Sequence, residues 1–186
     1  MMLPRFLAGL LLTLALAGCG GETATAPAAV TDPVTGTGAG QFGLTERAFV
    51  ELAIATDDQA VKLLDLGVQR VTTPALRDLA TEVDAARHAE LTELRGLLTT
   101  EKIPYVNNHE GHDMPGMPTN EELAALSQAG PQFDTVFKGL LRAHLDESST
   151  VARSALQAVT HDATRAVAQR MEQDRRAFLQ RLGGSG

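Results

Sequence analysis

From Thr45 onward, apolar residues recur at three- and four-residue steps. Phe49, Leu52, Ala53, Ala60, Leu63, Leu64 and Gly67 form one stripe, the pattern of a helix that buries a single face. Thr72-Thr73-Pro74 reads as a stop and restart, with Thr73 as N-cap and Pro74 at the first helical position. Leu76, Leu79, Ala80, Val83, Leu91, Leu94 and Leu98 then carry a second stripe, which ends before Pro104. Thr119-Asn120-Glu121-Glu122 is a capping box that opens a short helix through about Gln128. Gly130-Pro131 breaks it, and a third long helix is predicted to about Thr160. His161-Asp162 marks the next corner, and a fourth long helix is expected to end in a left-handed C-cap at Gly183-Gly184.

The two halves of this pattern match. A shift of 88 positions pairs Phe49 with Phe137, Leu52 with Leu140, Ala55 with Ala143 and Asp58 with Asp146. Without a gap it continues through Val71-Thr72/Val159-Thr160, Arg77/Arg165, Ala80/Ala168, Arg87/Arg175, Leu91/Leu179 and Leu94/Leu182. One register across two helices and their corner is the mark of a duplicated helix pair. The predicted fold is therefore all-α, a four-helix bundle built from two repeated hairpins with a long crossover. Each hairpin exposes an apolar stripe that only the other covers, so neither half is expected to be stable alone.

Composition fits that class and narrows the partners. Of the 186 residues 44% are apolar but only 4% aromatic, and Ala and Leu dominate, which favours helices. A formal charge of −7 argues against nucleic acid or an anionic membrane surface as the main partner. A single cysteine excludes an intramolecular disulfide. Cys19 instead follows a basic Arg5 and an apolar run from Phe6 to Gly18, too short to span a bilayer comfortably. Leu16-Ala17-Gly18-Cys19 resembles the lipobox of bacterial lipoproteins; an ordinary secretory signal with a chance cysteine is the plainer alternative. On the lipobox reading residues 1–18 are a signal peptide, and Cys19 carries acyl chains that anchor an extracytoplasmic protein to the bacterial cell membrane. Residues 19–43, rich in Gly, Thr, Ala and Pro, are expected to be a disordered tether. Residues 44–184 form the bundle: repeat one 45–100, crossover and short helix 101–129, repeat two 130–184.

Candidate chemistry concentrates in the crossover. His109-x-x-His112-x-Met114-x-x-Met117 offers two imidazoles and two thioethers in a stretch too Gly- and Pro-rich for helix or strand. Imidazole with thioether suits copper, Cu(I) in particular, better than magnesium or calcium. The other reading makes Met114 and Met117 plugs for the end of the bundle. The crossover from about Glu101 to Pro118 is longer than compact domains usually need, which favours a functional role.

These features resemble the domain-of-unknown-function-305 family, ferritin-like four-helix proteins of bacterial envelopes. The resemblance covers roughly residues 44–182 and rests on the two repeats, the Gly-His-Asp-Met-Pro-Gly-Met crossover and the Thr119-to-Leu126 helix. It implies copper or other metal handling. Family members usually carry a Met-Ile-x-His-His-x-x-Ala run in each half; here the paired positions hold Thr56 and Asp57 in the first, and only His144 is kept in the second. The family's Gln-x-x-Glu run keeps its acid at Glu90 and loses it at Phe178.

His144 and Glu90 therefore stand as a second candidate metal site, or as a hydrogen-bonded core pair. A di-iron set is absent. Asp57-Asp58 and Asp146-Glu147 are read as a solvated face, because neighbours on a helix point in different directions. No Ser/His/Asp arrangement, phosphate-cradling loop or second cysteine appears, so no catalytic residue is assigned and the protein is expected not to be an enzyme. Two functions remain: an envelope lipoprotein binding copper through His109, His112, Met114 and Met117, or a non-catalytic module docking another envelope protein. A carrier of small ligands, which would need a large apolar pocket, is a third.

Overall fold

A computed structural model describes residues 40–184. The proposed signal segment, Cys19 and the tether up to residue 39 lie outside the described residues. Four long helices, α1 (Leu44–Arg70), α2 (Pro74–Thr100), α4 (Phe133–Ala158) and α5 (Asp162–Gly184), are joined by two tight corners and a crossover. The crossover carries the short α3 (Asn120–Ser127) and a 3-10 turn at Gly130–Gln132. The helix boundaries follow the periodicity, with one correction: α5 continues through Gly184, and neither terminal glycine adopts a positive φ.

The repeat is visible in the packing. One apolar cluster gathers Phe49, Ala53, Leu94, Ala152, Val159, Val167 and Met171. The other gathers Phe137, Leu141, Leu182, Leu64, Val71, Leu79 and Val83, the same positions displaced by 88. Each cluster thus combines the start of one hairpin's first helix with the corner of the other hairpin. That exchange runs α1 antiparallel to α4 and α2 antiparallel to α5. The end of α2 and the start of α4 then lie at opposite ends of a bundle about 40 Å long at 1.5 Å per residue. The crossover is long because it must travel that distance. Its length has a structural cause and is no sign of function by itself.

Each hairpin also clamps the other's corner with an acid. Thr73 sits at the N-cap of α2, but its hydroxyl does not cap the helix. Instead Asp134 on α4 accepts from the backbone N–H groups of Thr72 (3.0 Å) and Thr73 (2.9 Å), and from both hydroxyls. At the opposite corner Glu46 on α1 accepts from the N–H groups of Thr160 (2.7 Å) and His161 (3.3 Å). Glu46 and Asp134 are themselves 88 residues apart. For both, burial pushes the carboxyl up and these hydrogen bonds outweigh it, holding each at about 2.

Candidate functional site

Two centres bear chemistry, one inside the bundle and one on its flank. The inner centre lies midway between the apolar clusters. Asp57, Arg87, His144 and Arg175 are each 0% exposed, and Glu90 is buried beside them. Asp57 corrects the expectation of a solvated face: it stands one position past Thr56, in line with Ala53, Ala60 and Leu64 on the buried stripe. Its neighbour Asp58 does face outward and pairs with Arg95, while Asp146 is exposed. Thr56, the position matching His144 in the other repeat, is half-buried and returns its hydroxyl to the Ala53 carbonyl.

Arg175 organises this centre. Its guanidinium donates to both Glu90 oxygens (2.6 and 2.7 Å), to Asp57 Oδ1 (3.2 Å) and to Ser148 Oγ (3.1 Å). Its repeat partner Arg87 is just as deeply buried yet donates no side-chain hydrogen bond; its nearest carboxylate oxygens are 3.5 Å away on Glu90 and 3.9 Å away on Asp57. The difference follows from the sequence, since the position matching Glu90 in the second repeat is Phe178. Burial and the Glu90 charge push the Asp57 carboxyl well above the ordinary range, against the pull of the two arginines. Glu90 is also pushed up by burial, but the charges of Arg175 and Arg87 bring it down to about 2. Burial, with Arg87 and Arg175 close by, lowers His144 to about 3 and keeps it neutral.

His144 and Glu90 do not form the expected core pair. His144 Nδ1 donates to the carbonyl of Gly116 (3.2 Å), and its nearest carboxylate is Asp57 at 3.8 Å from Nε2. Both oxygens of Glu90 are taken by Arg175. Arg175 bridges Glu90 and Asp57 where a metal ion would have to sit, and the charge of both guanidiniums opposes a further cation. In the sequence Arg87 and Arg175 stand out as a register pair, each where the family's Gln-x-x-Glu run has its Gln. The usable signal was an arginine on the apolar stripe of both repeats.

The outer centre is the crossover where it passes the middle of α1 and α4. Its donors come from two successive turns. In His109-Glu110-Gly111-His112 the His112 N–H donates to the His109 carbonyl (3.1 Å), and Gly111 has φ +75°. In Met114-Pro115-Gly116-Met117 the Met117 N–H donates to the Met114 carbonyl (3.1 Å), with Pro second and Gly116 third at φ +70°. A proline followed by a left-handed glycine is what a type II turn requires, and such a turn brings its first and last residues together. The first turn holds two imidazoles with ring centroids 6.5 Å apart, and the second sets Met114 and Met117 at its two ends, both lining one cleft.

Met114 and Met117 line one surface cleft; Met117 also lines the adjoining one with His112 and Gln59. His109 lines neither, so the donors fall into two pairs on one stretch and do not share a single cleft. Met117 is buried, His109 and Met114 half-buried, and His112 exposed. Among the described residues no group of three or more His, Cys, Asp and Glu side chains is arranged to hold a metal ion, so a metal site here must recruit the thioethers. Beneath Met114, a mostly apolar cavity against α1 and α4 measures about 60 Å³, far below the ~300 Å³ of the smallest typical ligand pockets. It gives no support to a small-ligand carrier.

The comparisons agree on the fold. The family model described as "Domain of unknown function (DUF305)" matches residues 46–184. A DUF305 fragment from Deinococcus radiodurans is similar at 19% identity and a TM-score of 0.67, over 76% of this chain and 95% of that one. A candidate secreted protein of the DUF305 group from Streptomyces coelicolor is similar at the same identity and TM-score, over 74% and 88%. No curated protein matches the chain.

Proposed function

We propose, from the premise that the chain belongs to the DUF305 family, that it is an extracytoplasmic copper-binding protein that holds Cu(I) on its crossover. The observation that carries this reading is the pair of turns, each ending in two like donors. Met114 and Met117 supply soft sulfur, and His109 and His112 supply borderline nitrogen, a donor set suited to Cu(I) and unsuited to magnesium or calcium. Metal–nitrogen bonds of ~2.0 Å plus two ring radii come close to the separation of the two imidazoles. The bound ion would be cargo, buffered or passed on rather than reacted. The likeness of Leu16-Ala17-Gly18-Cys19 to a lipobox supports an anchor at the outer side of the cell membrane, and a structural relative is described as a candidate secreted protein. No described helix is long and apolar enough to cross a membrane.

Anaerobic Cu(I) titration against a chromophoric competitor tests the reading. Wild-type protein is expected to bind more tightly than a peptide of residues 105–118. Replacing Met114 and Met117 together, or His109 and His112 together, with Ala should abolish that advantage. Affinity equal to the peptide's, or untouched by the substitutions, would leave the alternative, a non-catalytic module for an envelope partner. Fatty-acid labelling that disappears in Cys19→Ser tests the anchor separately.

A further inference from the structure

The thioether turn is fastened to the bundle through Gly116, which lies between the two methionines. Its carbonyl accepts from His144 Nδ1 across 28 positions of sequence. A Cβ at Gly116 would lie 2.5 Å from Glu147 Cβ and 2.8 Å from the Ala143 carbonyl oxygen, so only glycine lets the turn sit this close to α4. A carbonyl only accepts, so this bond fixes the proton of the neutral imidazole on Nδ1. The remaining nitrogen, Nε2, is buried without a hydrogen-bond partner and faces Asp57 in the centre that holds Arg87 and Arg175. Those guanidiniums disfavour a metal cation at Nε2.

We propose that His144 is a positioning residue for the copper site: it pins the Met114–Met117 turn to α4 so that both thioethers are presented before the ion arrives. The proposal rests on the copper reading above, but its structural half is measurable without metal. A pinned turn forgoes the ordering cost that a free loop meets on binding.

The experiment uses the full chain and four forms: wild type, His144→Asn, His144→Leu and Gly116→Ala. Asparagine retains an N–H near the position of Nδ1, leucine removes it, and Gly116→Ala lifts the turn while keeping the His144 side chain. Metal-free hydrogen exchange is read at the Met117 amide, and Cu(I) affinity by competitor titration. His144→Leu and Gly116→Ala are expected to speed exchange and weaken Cu(I) binding, each by about tenfold, and His144→Asn to restore both to within about threefold of wild type. If His144→Leu fails to fold, Gly116→Ala carries the test. Unchanged exchange in Gly116→Ala overturns the pinning. Normal exchange with lost copper affinity in His144→Asn makes His144 a ligand and overturns the positioning role. Wild-type protein that binds no Cu(I) refutes the function and the role with it, even where exchange behaves as expected.

Discussion

Arg87 and Arg175 occupy equivalent places in the two repeats and are equally buried, yet they should differ sharply when replaced by methionine. Arg175→Met removes four hydrogen bonds, three of them to carboxylate oxygens, and strands Glu90 in the interior. Breaking a buried, hydrogen-bonded ion pair from one side costs about 3–5 kcal/mol, and methionine packing recovers only part of that. Arg87→Met removes no side-chain hydrogen bond. The ion pairs of Arg87 are long, 3.5 Å to Glu90 and 3.9 Å to Asp57, and burial disfavours its charge. The expected change is within about 1 kcal/mol of zero, and stabilisation is allowed. Pairing Arg175→Met with Glu90→Met should recover at least about 2 kcal/mol, because the stranded charge goes too. Urea unfolding followed by far-ultraviolet circular dichroism measures all of these, with the slope checked for two-state behaviour. Equal costs for the two single variants would refute the assignment of Arg175 as the organiser.

The remaining predictions concern packing and the corners. Gly67→Ala would put a Cβ 2.3 Å from the Phe137 ring, so it should destabilise by about 1–3 kcal/mol despite the better helix propensity of alanine, as a lower melting temperature. Asp134→Ala and Glu46→Ala should each cost about 1–2 kcal/mol by urea unfolding, since each exposes a corner's N–H groups. Both acids are held at about 2 in the fold, against 3.8 and 4.5 for the free groups. Below those free values the unfolded chain takes up protons first, so the stability they add is complete above about pH 4.5 and lost as pH falls toward 2. After screening by solvent this loss should be about 1 kcal/mol per acid, seen as a flatter acid limb in the corresponding Ala variant.

Periodicity made the helices, their corners and the duplication legible, because apolar side chains declare which face is buried. The inner centre was hidden for the same reason. Asp57, Arg87 and Arg175 count as polar, so a stripe that contains them looks interrupted; their burial depends on partners from three other segments, which spacing within one helix does not reveal. The corner clamps were missed likewise, since Glu46 and Asp134 act on residues 114 and 62 positions away. In the crossover the donor types were plain, and Met-Pro-Gly-Met carried a turn signature that spacing alone would have supported. The anchoring of that turn to His144 was not readable, because it needs the path of the chain along the bundle.

The exchange of apolar clusters under the 88-residue shift gives the molecule a built-in control. Gly67 packs on Phe137, and the matching position holds Ala155 in one cluster with Phe49, so the same pair of positions already exists in two versions within one chain. Any alteration of one hairpin has a twin site in the other, at the same temperature, solvent and purity. Comparing twins cancels whatever the whole molecule shares and isolates what local surroundings contribute.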